Sequence, residues 1–184
     1  MDIASLATKH KQQSGFTIVE LMVSASIIVV ISVLAIVNFR GYEQKSSLYN
    51  EAERMSGVIR QAHINALTGL LVDGSRPLGG FGVHIEPCSA DCSYFIFADD
   101  GSYQYEFGTD TIVQTINMLE DSVYISGINP GSSAVDIIFI PPQGLIYING
   151  LAIEDSAQIN LTFSNSSYSK DIILDRRSGK IEIQ

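Results

Sequence analysis

The chain has 184 residues, 46% of them hydrophobic, which is enough apolar material for one domain with its own core. Its net charge of −9 excludes broad binding of nucleic-acid phosphates by the fold as a whole, and its basic residues gather towards the two ends. With only two cysteines, a disulfide framework does not hold this fold together.

The N-terminal part divides into a polar leader and a long apolar segment. Residues 1–15 are polar and carry Lys9, His10 and Lys11, whereas residues 16–37 are almost entirely apolar. About 22 residues at 1.5 Å per residue give a helix of roughly 33 Å, which matches the hydrocarbon core of a bilayer. The pattern predicts a membrane-spanning helix, with the basic leader in the cytoplasm and the rest of the chain outside. An uncleaved signal anchor explains the same hydropathy.

One charged residue, Glu20, interrupts the apolar segment. A carboxylate inside a membrane helix costs about 2.5–3.5 kcal/mol on insertion scales, so such a residue usually has a partner and a function. The alternative is a charge that is tolerated because the first turn of the helix lies at the membrane interface.

Residues 15–21, GFTIVEL, resemble the prepilin motif of type IV pilins and type II secretion pseudopilins. In that family a membrane aspartyl peptidase cuts after the glycine and methylates the new N-terminal amine. The resemblance implies that Gly15 precedes the cut and that Phe16 becomes the N-methylated terminus. It also implies that Glu20 pairs with the Phe16 amine of an adjacent subunit and sets the register of a filament. The implied partners are the prepilin peptidase, other pilins or pseudopilins, and an inner-membrane assembly platform.

Beyond residue 37 the helical pattern becomes amphipathic. Apolar residues recur at steps of three and four and form one stripe, which consists of Leu48, Ala52, Met55, Ile59, Ala62 and Ala66. Polar residues, among them Glu51 and Arg54, are expected on the other faces. No proline interrupts residues 16–68, so we expect a single helix with a bend or local melt at Gly41 and an end at Thr68-Gly69.

The remainder predicts antiparallel β-structure that follows a glycine-containing linker at residues 69–82. The expected strands are 81–85, 94–98, 103–107, 123–128, 135–140, 145–148, 159–163, 172–174 and 181–183. Hairpin turns are expected at Asp100-Gly101, Asn149-Gly150 and Ser178-Gly179.

These elements predict an α+β, pilin-like fold, in which a long N-terminal helix packs on a C-terminal antiparallel β-sheet domain. The expected segments are a cleaved leader (1–15), a transmembrane helix (16–38), the amphipathic half of that helix (39–68) and an extracytoplasmic β-rich domain (69–184). The pattern, with its final hairpin at 176–183, also resembles the GspH/FimT group of minor pilins and pseudopilins. Members of that group are implied to lie at filament tips or to prime assembly.

Cys88 and Cys92 lie four residues apart in the part expected outside the cytoplasm. A disulfide between them would close a very small loop and contribute about 1–3 kcal/mol to stability. Metal binding needs more ligands than this pair supplies, and the nearby His84 is expected to be a strand residue. We therefore predict a local disulfide.

Asp99-Asp100-Gly101, with Asp91 upstream, is the one segment that suggests calcium. The alternating oxygen ligands of a calcium loop, which end in a glutamate, are absent. A solvent-exposed hairpin turn explains the aspartates, so no metal site is predicted.

Arg176, Arg177 and Lys180 form a small basic patch on the last hairpin. DNA-uptake minor pilins bind DNA through basic C-terminal segments, and three charges would give a weak, salt-sensitive contact with phosphates. No aromatic residue interleaves with them to stack on bases, and acidic residues surround them. A locally neutralised hairpin is the favoured interpretation, with nucleic acid as the alternative partner.

Catalytic motifs are absent, and the three histidines are scattered along the chain. We therefore expect neither an enzyme nor a cofactor. The predicted function is that of a structural, minor subunit of a type IV pilus-like or type II secretion filament. The alternatives are a tip module that binds DNA or a surface ligand, and an uncleaved membrane-anchored protein with an unrelated function.

Overall fold

The computed structural model describes residues 15–119, 122–131 and 133–184, with the backbone alone for residues 36–40. Lys9, His10 and Lys11 of the expected leader therefore lie outside the described residues. The chain forms two compact units, of which the first ends at Gly41 and the second spans Tyr42–Gln184.

Helix α1 spans Ile18–Thr68 and continues through Gly41, so the expectation of a local melt there is wrong. Thr17 caps its N-terminus, because the Thr17 hydroxyl accepts a hydrogen bond from the Glu20 amide at 3.2 Å. Its C-terminus closes at the expected glycine. Gly69 has a φ of 62° and its amide donates to the Ala66 carbonyl, while the next amide reaches back five residues.

Within the first unit, Ile18–Ala35 is long and apolar enough to cross a membrane, and none of it is buried. Three serines interrupt the apolar sequence, and each donates its hydroxyl to the carbonyl four residues earlier, at 2.7–2.8 Å: Ser24, Ser26 and Ser32. Because each hydroxyl is hydrogen-bonded within its own helix, the three serines need no further hydrogen-bond partner when they lie in an apolar environment.

The second unit contains two antiparallel sheets, which, with α1, confirm the predicted α+β, pilin-like class. The strands found in the described residues are β1 (Gly80–Ile85), β2 (Ser93–Asp99), β3 (Thr111–Asn117), β4 (Val123–Asn129), β5 (Val135–Ile140), β6 (Leu145–Ile148), β7 (Ser156–Phe163), β8 (Ser169–Asp175) and β9 (Ile181–Ile183). One sheet has the order β3-β2-β1-β5-β6 and the other β4-β7-β8-β9.

The strand predicted at 103–107 is wrong, and β3, which follows it, was not predicted. Tyr103 has a φ of 62°, and the Tyr105 amide donates to the Asp136 carboxylate at 3.1 Å instead of to a neighbouring strand. Asp100-Gly101 is consequently not a hairpin turn. It opens the long connection between β2 and β3.

The other two predicted turns have different outcomes. Asn149-Gly150 forms a tight turn, since Ile148 and Leu151 exchange two backbone hydrogen bonds at 3.0 and 3.1 Å. It does not pair β6 with β7, because those strands belong to different sheets. Ser178-Gly179 lies in the β8–β9 hairpin, as predicted.

The hydrophobic core combines α1 with both sheets. All six residues of the predicted apolar stripe are at most 1% exposed, which confirms the stripe as core packing. Phe81, Val83 and Ile85 of β1 join the same core. Side chains alternate along a strand, so Gly82 and His84 belong to the opposite face, which we call the outer face of the five-stranded sheet.

Gly82 is required by the packing of this outer face. A Cβ atom at Gly82 would lie 2.4 Å from the Phe97 ring and 3.0 Å from Ile138 Cγ1. We expect Gly82→Ala to lower the free energy of unfolding of residues 42–184, which contain the whole described core, by about 1–3 kcal/mol. Urea denaturation followed by circular dichroism measures this change.

Gly127→Ala is the matched control, because a Cβ atom there meets nothing within 4 Å. Its effect should stay within about 0.5 kcal/mol. Equal losses from the two substitutions would contradict the packing account of Gly82.

Candidate functional site

Gly15, Phe16 and Glu20 lie together at the start of α1. Gly15 and Phe16 precede the helix, and the Phe16 side chain is 80% exposed. Glu20 is exposed in the first helical turn, where a negative charge interacts favourably with the helix dipole. Among the described residues no cationic group forms an ion pair with the Glu20 carboxylate.

The helix that follows offers a predominantly apolar surface, with Glu20 and three serines as its polar residues. Every large apolar side chain in residues 18–34 is more than half exposed. A surface of this size is unfavourable in water and requires lipid or other apolar helices around it. The structure therefore supports anchoring of the chain in a membrane.

Cys88 and Cys92 form a disulfide between β1 and β2, with their Cα atoms 5.6 Å apart. Backbone hydrogen bonds connect both ends of the loop that they close to neighbouring segments. The Cys88 amide donates to the Ile125 carbonyl at 3.0 Å, and the Cys92 carbonyl accepts from the Met118 amide at 2.9 Å. The disulfide thus stabilises the place where β1 and β2 approach the end of β3 and the start of β4.

Asp99, Asp100 and Asp110 bring their carboxylate oxygens within 4.8 Å of one another, and Asp91 is not in this group. The carboxylates already accept backbone hydrogen bonds. Asp99 accepts from the Gly101 and Tyr103 amides, and Asp110 accepts from those of Asp100 and Glu106. These contacts give the aspartates a structural role in shaping the β2–β3 connection.

Burial dominates the protonation of two of these aspartates. It raises the pKa of the Asp99 carboxyl, although amide hydrogen bonds from Tyr103 and Gly101 act in the opposite direction. It also raises the pKa of the Asp110 carboxyl, against the amides of Glu106 and Asp100. Asp99 and Asp110 therefore favour the protonated state more than exposed aspartates do.

Arg176, Arg177 and Lys180, which lie between β8 and β9, contact acidic or carbonyl groups of their own chain. Arg177 pairs with the Asp155 carboxylate at 2.8 Å, and Lys180 pairs with Glu182. Arg176 Nε donates to the Glu154 carbonyl at 2.6 Å. In the patch that was considered for DNA contact, the charges of Arg177 and Lys180 are therefore paired, whereas Arg176 is held by a backbone carbonyl.

Glu51 was expected on a polar face of the helix, and this expectation is wrong. It is only 2% exposed, and its Oε1 atom accepts a hydrogen bond from the Leu119 amide at 2.8 Å. Arg54 lies 3.8 Å from the same oxygen and donates to the Asn117 carbonyl at 2.7 Å. The two side chains connect α1 to the end of β3. The spacing of Glu51 and Arg54, three residues apart, could have indicated this contact. The same spacing is common in ion pairs on exposed helix faces, so it did not distinguish the buried pair.

Sequence reasoning also missed a buried charged group on the outer face of the five-stranded sheet. His84 of β1 and Asp136 of β5 are each 8% exposed and directly paired in register. His84 is the one titratable residue of the buried strand β1, and Asp136 is the one titratable residue of the buried strand β5. A single charged side chain in each of two apolar strands was the signal that the sequence offered for this pair.

The disulfide gives a direct prediction for stability. Replacing both cysteines, Cys88→Ser with Cys92→Ser, should lower the free energy of unfolding of residues 42–184 by about 1–3 kcal/mol, because the small closed loop regains entropy in the unfolded state. Urea denaturation with and without a thiol reductant measures the loss. The reductant should destabilise the natural chain and leave the double variant unchanged, and a reductant-insensitive natural chain would contradict the prediction.

Comparison with known proteins identifies one family that matches the chain. The family described as the prokaryotic N-terminal methylation motif matches residues 10–36, which contain Gly15, Phe16, Glu20 and most of the apolar segment. Searches of curated proteins and of solved structures found no match. The chain thus carries a type IV pilin-like N-terminal signal, which supports a pilin-like or pseudopilin subunit and implies prepilin peptidase processing.

Proposed function

We propose that this protein is a structural subunit of a type IV pilus-like or type II secretion filament. Its precursor is cut between Gly15 and Phe16 by a prepilin peptidase, and Phe16 becomes the N-methylated terminus. The observation that carries the proposal is the methylation motif at residues 10–36, which overlaps the apolar segment Ile18–Ala35, none of which is buried.

Assembly follows from the chemistry of that helix. When the subunit leaves the membrane, its apolar surface exchanges lipid for the N-terminal helices of neighbouring pilins or pseudopilins. An inner-membrane platform brings these subunits together. The β-sheet unit then remains outside the helical bundle and carries whatever specificity the filament has.

Glu20 sets the axial register in this proposal. Its carboxylate has no ion-pair partner within the described part of its own chain. An unpaired carboxylate costs about 2.5–3.5 kcal/mol in a membrane helix, so a partner supplied by another subunit is favourable. The amine of Phe16 created by cleavage is a group of the required charge.

The precursor spans the cytoplasmic (inner) membrane once, with the β-sheet unit on the extracytoplasmic side, and then joins a periplasmic or cell-surface filament. The Cys88–Cys92 disulfide supports this orientation, because disulfides persist in oxidising compartments. The basic leader before the apolar segment supports it independently.

Within this class we place the chain in the GspH/FimT group of minor pilins, at a filament tip or in the priming of assembly, and without catalytic activity. Support comes from the order of elements: helix, glycine-containing turn, short strands and a final hairpin. The structure favours a scaffold over a DNA-binding tip, because Arg177 and Lys180 are already paired.

Glu20→Ala tests the register role. We expect normal membrane insertion and cleavage but an at least about tenfold loss of the chain from the assembled filament fraction, which corresponds to about 1.4 kcal/mol. Immunoblotting of sheared filaments against membranes, in cells with the assembly machinery, measures this ratio.

Glu43→Ala is the matched control, since Glu43 is an exposed glutamate of the same helix beyond the apolar segment. That variant should assemble like the natural chain. Normal assembly of Glu20→Ala would refute the register role while leaving the rest of the proposal standing.

A further inference from the structure

One face of α1 is left uncovered in the second unit, opposite the buried apolar stripe. Exposed residues recur there at steps of three, four and seven, so they share one side of the helix. We call them the outer stripe, which consists of Tyr42, Tyr49, Glu53, Gly57, Arg60, Ile64 and Leu67. The four large apolar side chains of this stripe are between 49% and 80% exposed. The outer stripe is therefore open to a partner.

Gly57 lies in the middle of the outer stripe, and nothing in the part of the chain that the structure describes requires a glycine there. Its backbone is helical, and a Cβ atom at this position would meet nothing within 4 Å. Glycine inside a helix is less stable than alanine, because it loses more conformational freedom on folding. A missing side chain on an exposed helix face does, however, allow a second helix to approach closely.

Two opposite charges flank Gly57 on the same face. Glu53 and Arg60 are both exposed, and their seven-residue separation corresponds to about 10.5 Å along the helix. The Glu53 carboxylate accepts a hydrogen bond from the Tyr49 hydroxyl at 2.9 Å. Within residues 15–119, 122–131 and 133–184, neither Glu53 nor Arg60 forms an ion pair. Each charge is thus available to a residue of opposite charge on another molecule.

We propose that the outer stripe packs against α1 of a second copy of this chain, with the two helices parallel and offset by seven residues. The inference rests on the proposed function, in which all copies enter the filament in the same orientation. Without an offset, each Glu53 would lie beside another Glu53 and each Arg60 beside another Arg60, and like charges repel. An offset of seven residues instead places Glu53 of one copy level with Arg60 of the other.

The same offset makes the shapes of the two helices complementary. Position 57 of one copy becomes level with position 64 of the other, so the Ile64 side chain, which is 57% exposed, fills the space over Gly57. Tyr42 of the first copy likewise becomes level with Tyr49 of the second, which brings two exposed aromatic rings together. Charge and shape therefore independently favour one offset.

The two copies use different residues in this contact. One copy contributes Glu53 and Gly57, and the other contributes Arg60 and Ile64. Each copy keeps the complementary pair free for a further copy, so the contact is heterologous and can continue along a filament. Because it lies beyond the apolar segment, it adds charge and shape specificity to packing that is otherwise only apolar.

Gly57→Leu tests the shape of the contact, because leucine favours the helix but fills the space over residue 57. The melting temperature of the full chain in detergent micelles, followed by circular dichroism, should stay unchanged or rise by up to about 4 °C. The ratio of chain in sheared filaments to chain in membranes should nevertheless fall at least about tenfold. Gly127→Leu is the matched control, since a Cβ atom at that β-strand glycine also meets nothing within 4 Å.

Charge reversal tests the ion pair between the copies. Glu53→Lys and Arg60→Glu should each lower the filament fraction at least about threefold, because each places like charges side by side. The two substitutions together should restore that fraction to within about twofold of the natural level, because the pair re-forms with its signs exchanged. Glu43→Lys is the matched control, since Glu43 is an exposed glutamate of α1 outside the outer stripe.

Disulfide crosslinking tests the offset directly. Glu53→Cys and Arg60→Cys in one chain cannot form an internal disulfide, because the two positions are about 10.5 Å apart and a disulfide needs Cα atoms within about 7 Å. Oxidised filaments that contain this double variant should give covalent dimers and higher multimers on a non-reducing gel. Each single variant should give neither.

Filaments that contain the double-cysteine chain without such multimers would overturn the contact and leave the proposed function standing. Normal assembly of Gly57→Leu, or failure of the reversed charge pair to restore assembly, would also overturn the contact alone. Should Gly57→Leu fail to fold, the crosslinking decides. A chain that retains residues 1–15 and stays out of the filament fraction would overturn both the contact and the filament role.

Discussion

The apolar surface of residues 18–34 is the constraint on which the rest of the molecule depends. Burial of apolar surface is worth about 25 cal/mol per Å², and here every large apolar side chain is more than half exposed. Such a helix is stable only in lipid or among other helices of its kind. Residues 1–15 are polar, the Glu20 carboxylate has no ion-pair partner in the part of the chain that the structure describes, and the second unit has its own core. All three features fit a subunit that moves between those two environments.

Acidic residues have an unexpected structural role in the second unit. The sequence placed Glu51 on a polar helix face and Asp99 in a solvent-exposed turn. Instead, Glu51, Asp99, Asp110 and Asp136 each accept backbone amide hydrogen bonds that fix connections between elements. Asp136 also lies beside His84, so one carboxylate joins two strands and the β2–β3 connection.

The sequence predicted those parts of the fold that depend on periodicity. The stripe from Leu48 to Ala66 repeats at helical spacing, so its burial could be predicted from the spacing alone. The strand expected at 103–107 failed because Tyr105 bonds to Asp136, a residue distant in the chain, and local patterns carry no information on such contacts. His84 and Glu51 were missed for the same reason, since their roles depend on which strands become neighbours.

The candidate site at the N-terminus was the easiest part to predict, because its residues are contiguous. Gly15, Phe16 and Glu20 lie within a few positions of one another, and the methylation motif matches the same segment. The disulfide is equally local, since Cys88 and Cys92 are separated by four positions. These features depend on residues close together in the chain, whereas the His84–Asp136 pair exists only after β1 and β5 have paired.

Processing of this chain into a filament subunit would show in the identity of its mature N-terminus. Intact mass and N-terminal sequencing after co-expression with a prepilin peptidase would identify it. We expect a mature chain that begins at N-methylated Phe16. A chain that retains residues 1–15, beside a control substrate that the same peptidase cleaves, would contradict it and leave a signal-anchored membrane protein.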